Sequence, residues 1–320
     1  MSDFQDILNG IDSRGFEQVA LESFTYQYSN VPIYRAFCDL LGRQNPKSLS
    51  DIPFLPIEFF KSHQVLAEGL STEQVFLSSG TGGDRSKHLV HDLDIYLDSF
   101  QKAFELSYGD VGNYQIISLL PSYQENGDSS LIYMVDKLMA QSKKDSKYIR
   151  VDQESADYLH KLSSSGQVIL IGVTYALLNL ARQFPMNLNE SIVMETGGMK
   201  GMGKELVRAA VHEELKSAFS LSQIHSEYGM TELLSQAYSK RDGIFNTPPW
   251  MKVLIRSNTN PLEHIGTNRA GGIDVIDLAN KHSCSFISTK DLGKQFSDAS
   301  FEVLGRMDQS EIRGCNLLSF

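Results

Sequence analysis

Short strand-like runs alternating with helical stretches predict an α/β fold: a mainly parallel sheet covered by helices, followed by a β-rich subdomain. Three observations carry this. Between Tyr114 and Glu227, apolar runs of strand length alternate with amphipathic segments, the pattern of a parallel sheet covered on both faces. From Lys252 onward helical spacing gives way to four further strand-like runs. The 320-residue chain is 41% hydrophobic and 10% aromatic, ample for a sizeable core. The expected organisation is a helical segment over residues 1–50, an α/β core over 51–250, and a β-rich subdomain with a tail over 251–320.

Taken in order, residues 13–41 carry apolar side chains at helical spacing, interrupted at Ser29-Asn30-Val31-Pro32. Asn30 or Ser29 would cap a second helix with Pro32 in its first turn. Two helices are therefore expected to open the chain. Residues 45–56 hold three prolines and lead into Phe54, Phe59 and Phe60, an ordered connection rather than chemistry. Val75, Phe76 and Leu77 read as the end of a strand. Residues 94–108, 131–141, 175–184 and 204–217 read as helices. The intervening strands are 114–120, 167–171, 191–195 and 223–227, and the late ones 252–256, 272–277, 285–288 and 301–304.

A net charge of −10 repels nucleic acid and anionic membranes and favours small ligands. The first six residues, Met1-Ser2-Asp3-Phe4-Gln5-Asp6, carry acids where a signal peptide needs bases, and no apolar run spans a bilayer. A cytoplasmic location is expected. Three cysteines, Cys38, Cys284 and Cys315, form neither a disulfide framework nor a metal pattern.

Five stretches carry chemistry. Val-Phe-Leu-Ser-Ser-Gly-Thr-Gly-Gly-Asp-Arg-Ser-Lys, residues 75–87, suits a phosphate-holding loop: Gly80, Gly82 and Gly83 free the backbone N–H groups, Ser78, Ser79 and Thr81 add hydroxyls, and Arg85 and Lys87 add charge. Taken alone it also fits a polar hairpin turn. Thr196-Gly197-Gly198-Met199-Lys200-Gly201-Met202-Gly203-Lys204 sits between a strand and a helix, where α/β proteins bind ligands. Glu205 stands where a Walker loop needs a hydroxyl, so that motif is rejected. Tyr228-Gly229-Met230-Thr231-Glu232 offers an aromatic face, a hydroxyl and a carboxylate for a hard cation. Otherwise it is a strand-to-helix turn with Glu232 in the first helical turn. Ser288-Thr289-Lys290-Asp291-Leu292-Gly293 ends a late strand with an acid suited to two sugar hydroxyls, and Gly305-Arg306 opens a charged segment reaching Gly314.

In this order the five stretches resemble the adenylate-forming superfamily of acyl-CoA synthetases, luciferases and related ligases. The resemblance implies that Ser78, Ser79, Gly80, Thr81 and Gly83 hold the phosphates of ATP, and that Gly197, Gly198, Tyr228 and Gly229 surround the adenine. It further implies that Thr231 meets the α-phosphate, that Glu232 associates with Mg2+, that Asp291 binds the ribose, and that Arg306 lies near it. The chain departs from the pattern at Gly82, where a second threonine is usual, and at Arg85-Ser86, where Pro-Lys is usual; Lys87 comes one place late. The family's hinge is followed by a mobile domain with a catalytic lysine, and a layout without that domain is expected because the chain stops at Phe320.

Pro248-Pro249-Trp250, Asp291-Leu292-Gly293 and the run from Glu302 to Cys315 are most similar to the acyl-protein synthetases, the long-chain-fatty-acid luciferin-component ligases of bacterial luminescence. That resemblance implies a fatty acid activated as acyl-adenylate, then passed to a cysteine near the C-terminus, here Cys315, and on to an acyl-accepting partner protein such as a reductase or transferase. Catalytic roles would fall on Glu232, Thr231, Cys315 and Lys87. Pro121, Ser122, Tyr123 and the helix from Ser129 through Met134 are acyl-pocket candidates by position. The alternatives are a coenzyme A ligase of the phenylacetate type and a non-catalytic nucleotide-binding subunit.

Overall fold

The computed structural model describes residues 3–79, 85–121, 127–162, 167–197 and 207–307. Three helices open it, not two: α1 (Asp3–Arg14), α2 (Phe16–Asn30) and α3 (Pro32–Leu41). The first escapes a periodicity reading because it buries only Phe4, Ile7 and Gly10. Pro32 occupies the first turn of α3, but its N-cap is Val31 without a side-chain bond. Asn30 instead donates to Tyr26 O at 2.8 Å, so the fixed φ of proline and not a cap sets this start.

The chain continues through β1 (Leu55–Pro56), α4 (Phe59–Ser62) and a hairpin, β2 (Gln74–Leu77) with β3 (Lys87–Val90). Then come α5 (Leu93–Tyr108), β4 (Gln115–Leu119), α6 (Ser130–Gln141), β5 (Lys147–Tyr148), α7 (Gln153–Leu162) and β6 (Val168–Val173). They are followed by α8 (Thr174–Gln183), β7 (Ser191–Thr196), α9 (Arg208–Phe219), β8 (His225–Tyr228) and β9 (Ala237–Ser239). The first large sheet has the order β5-β4-β6-β7-β8-β9, parallel except for β9. Its strands are apolar on both faces. Ile116, Ile169, Ile171 and Met194 join the core that includes Phe100, Phe104 and Val135 of α5 and α6. Ile117, Leu170 and Val193 join Leu177, Leu178, Val211 and Leu215 of α8 and α9 on the other side. Alternate residues serving opposite cores is what a doubly covered parallel sheet requires.

The late strands are β10 (Ile244–Phe245), β11 (Met251–Arg256), β12 (Ala270–Asp277), β13 (Phe286–Gln295) and β14 (Phe301–Arg306). They form a second sheet in the order β10-β14-β13-β12-β11, with β1 pairing parallel to β13. The opening helices pack on this sheet. Tyr34 stacks on Phe286 with ring centroids 6.0 Å apart, and buried Gln27 donates to Asn280 O and Ser285 Oγ at 3.0 Å each. The short strands β5, β9 and β10 lie outside the sequence expectation, because two- and three-residue strands leave no periodicity to read, and so does the helix α7.

Candidate active site

Tyr228 ends β8 with its ring buried edge-on against Phe245 and Phe301, at 5.8 and 5.4 Å. Its hydroxyl donates to Asp291 Oδ2 at 2.9 Å. Asp291 does not end its strand, as the sequence suggested: β13 runs through it to Gln295. Its amide donates to Thr289 Oγ1, and Arg306 stands opposite it in β14 with Nε 3.5 Å from Asp291 Oδ1. A charged residue whose groups are met in this way does not interrupt a ladder. Tyr228, Asp291 and Arg306, 63 residues apart at the first step, are thereby brought to one place between the two sheets.

Beside them, β7 and β8 each carry, one residue before their ends, a carboxylate that sequence reasoning missed. Glu195 and Glu227 are both buried. Burial raises Glu195, but His212, the charge of Arg208, and the hydroxyls of Ser226 and Thr174 outweigh it and hold its carboxyl below the ordinary range. Arg208 Nε lies 3.1 Å from Glu195 Oε1, and its Nη1 donates to Val303 O at 3.2 Å, joining the first sheet to β14. Glu227 has only the Thr196 hydroxyl against burial and the nearby Glu195 charge, and is pushed up to about 7. The available signal was an acid one place before the end of each of two neighbouring strands, at Glu195 in Ser-Ile-Val-Met-Glu-Thr and Glu227 in His-Ser-Glu-Tyr. Gly197 follows with φ +69, a conformation that favours glycine. At Gly229 a Cβ would stand 2.5 Å from Glu227 Oε1.

A raised carboxyl has a signed consequence. The native state holds the Glu227 proton more tightly than the unfolded chain, so its contribution to stability is complete below about 4.5 and is lost as pH rises through about 7. Glu227→Gln should therefore remove a pH-dependent loss on the order of 3 kcal/mol between pH 5 and 8. Urea unfolding at the two pH values reads it; an unchanged difference between variant and parent would refute the assignment.

After β8 the chain turns into β9 rather than a helix, so no helix dipole accounts for Glu232. The turn is held by its backbone. Thr231 O lies 2.8 Å from His88 Nδ1, and Asn280 Nδ2 donates to Glu232 O at 2.7 Å. Asp277 accepts from Leu234 N at 2.8 Å and Ser235 N at 3.0 Å. Glu232 is 4% exposed.

The loop 78–86 does not leave the edge of the parallel sheet: among the described residues β2 and β3 pair only with each other. Val75–Leu77, read as the end of a strand, belongs to an antiparallel hairpin, which two-residue spacing cannot tell from a strand of the parallel sheet. Its neck is tightly tied. Ser78 N donates to Ser86 O at 3.0 Å, and Ser86 N to Ser78 Oγ at 2.9 Å. Arg85 Nε donates to Ser78 O at 2.6 Å while its Nη1 meets Asp128 Oδ2 at 3.1 Å. Arg85 thus ties the neck of the loop to Asp128. Ser79 and Lys87 are exposed on either side of the neck. Gly80, Thr81, Gly83, Gly198 and Cys315, with Ser122 and Tyr123, lie outside the described residues.

Among the described residues no cluster of three or more His, Cys, Asp or Glu side chains is placed to hold a metal. Glu232 supplies a single carboxylate, and Mg2+ is commonly held by one or two carboxylates together with nucleotide phosphates. Among the described residues no helix is long and apolar enough to cross a membrane.

The family model described as "Acyl-protein synthetase, LuxE" matches residues 11–319. No match was found among curated proteins. Among solved structures, 2-hydroxyisobutyryl-CoA ligase in its postadenylation state is similar with TM-score 0.67 at 11% identity, over 91% of this chain and 68% of that one. ATP-bound MatB from Rhodopseudomonas palustris is similar with TM-score 0.54 at 14% identity, over 72% of this chain and 47% of that one. The luciferase-like enzyme of the nonluminescent mealworm Zophobas morio is similar with TM-score 0.51 at 16% identity, over 81% and 63%. At these identities the structures show the fold, and this chain spans about half the length of MatB.

Proposed function

Because the chain belongs to the LuxE acyl-protein synthetase family, we propose that it activates a carboxylic acid, a fatty acid by preference, with ATP and passes the acyl group to a protein thiol. The observation that carries this is the meeting of Tyr228, Asp291 and Arg306 between the sheets, 2.9 and 3.5 Å apart at their polar atoms. Asp291 would take the ribose hydroxyls, Arg306 would stand beside them, and Tyr228 with Gly197, Gly198 and Gly229 would flank the adenine. Ser78, Ser79, Gly80, Thr81 and Gly83 would surround the phosphates, with Lys87 at the mouth of their loop. Mg2+, held by Glu232 and the phosphates, would offset triphosphate charge.

A substrate carboxylate oxygen attacks the α-phosphorus in line, forming the acyl-adenylate as the bond to pyrophosphate breaks. A thiolate then attacks the acyl carbon, the thioester forms and AMP leaves. The residues of this chain act in the first step by orientation and charge, with Thr231 at the α-phosphate. Calorimetry on Asp291→Ala is expected to show ATP bound roughly 10- to 100-fold more weakly, the scale of one charged hydrogen bond. Equal binding would remove Asp291 from the site. Labelled pyrophosphate exchange across a panel of acids tests the chemistry; exchange completed only by coenzyme A would favour a free-thiol ligase, and its absence a non-catalytic subunit.

A further inference from the structure

His88 follows Lys87 on the hairpin strand β3, yet it faces inward and is 1% exposed. Its ring lies edge-on to Phe60, centroids 5.8 Å apart. Nδ1 is 2.8 Å from Thr231 O, and Nε2 is 3.0 Å from Asn280 Oδ1. The Asn280 amide in turn donates to Glu232 O at 2.7 Å. One imidazole therefore reaches both successive carbonyls of the Thr231–Glu232 turn, one directly and one through Asn280. It does so from the strand that leaves the loop 78–86.

We propose that His88, with Asn280, is a positioning residue that fixes the Thr231–Glu232 turn against strand β3, so that the carboxylate facing the cation keeps one position relative to that strand. This rests on the function proposed above. The oxygens at both ring nitrogens are acceptors, and a neutral imidazole carries one N–H. Burial pushes His88 down to about 4, with its two hydrogen bonds opposing, so the ring is neutral at pH 7. A single proton then holds either Thr231 O or Asn280. The two contacts are consequently separable by substitution. Asparagine at 88 places an amide nitrogen near the Nδ1 position and retains the bond to Thr231. Glutamine reaches the Nε2 position and retains the bond to Asn280.

The test is acid-dependent pyrophosphate exchange by the full chain carrying His88→Ala, His88→Asn, His88→Gln, Asn280→Ala, or His88→Ala with Asn280→Ala. Removing a group that orients a reacting one costs about 10- to 100-fold. That loss is expected for His88→Ala in kcat, with the KM for ATP changed less than about threefold, the pattern of an interaction felt in the transition state. One of His88→Asn and His88→Gln, the one that restores the bond made by the single imidazole proton, should recover most of the loss, and the double variant should be no slower than the slower single one. Amide hydrogen exchange at residues 233–236, measured without substrate, should accelerate in His88→Ala and return toward the parent rate in the same conservative variant that recovers kcat. Parent-like kcat in His88→Ala would overturn the proposal. So would equal losses in the alanine, asparagine and glutamine variants with unchanged amide exchange. If the parent itself exchanges no pyrophosphate, the activity reading fails, and the amide exchange still decides whether His88 holds the turn.

Discussion

Glu232→Gln is expected to fold normally and to exchange labelled pyrophosphate into ATP at least about one hundredfold more slowly than the parent, the scale of removing one charge-stabilising group. Glutamine keeps the shape and removes the charge. The turn carrying it is held by main-chain groups, Glu232 O by Asn280 and the following amides by Asp277, so these contacts do not depend on the substituted carboxylate. Melting temperature near the parent's, together with the slow exchange, is the expected pair of readings. Exchange at the parent rate would take the cation-side role away from Glu232.

Cys315→Ser should abolish the thioester that forms when the protein is given ATP and a suitable fatty acid. The structure narrows the choice among three thiols. Cys38 lies buried in α3, and burial, opposed by Tyr34 and aided by the Asp39 charge, pushes its thiol up to about 12. Cys284 lies in the turn before β13; it too is buried, and burial raises its thiol well above the usual value. Neither offers thiolate near neutral pH, and the thiolate is the nucleophile. Cys315 is the remaining cysteine, with Arg313 two residues before it in the sequence. Intact-mass and peptide analysis should place one acyl group on Cys315, released by neutral hydroxylamine. An adduct on Cys38 or Cys284, or normal acyl transfer by the serine variant, would end this reading and leave a free thiol as acceptor.

The parallel sheet was readable because each of its long strands is a nearly unbroken apolar run and each helix shows one apolar stripe. The family was readable because five motifs occur in order, and the match over residues 11–319 bears that out. Less was readable at the site. Arg85 looks like a phosphate ligand by composition, but a guanidinium bonds whatever oxygens the fold presents, and here these are Ser78 O and Asp128. Glu195 and Glu227 have the same side chain one place before a strand end, and only their neighbours separate them: Arg208 and His212 reach the first, while the second has a hydroxyl and burial.

What the sequence determined by itself was local: the strand and helix periodicities, the glycine and hydroxyl content of the loop 78–86, and the aromatic-hydroxyl-carboxylate turn at Tyr228, Thr231 and Glu232. Each follows from residues within a few positions of one another, where side-chain spacing and backbone freedom act directly. What only the tertiary structure decided was pairing across distance. It set Asp291 opposite Arg306 and under Tyr228, brought His88 143 residues from its own position in the chain to Thr231 O, and gave Arg208 a partner in each sheet. Hydrogen bonds and charges between such groups depend on separations of a few ångströms that no spacing along the chain encodes, and burial, which sets their strength, exists only once the two sheets have closed on each other.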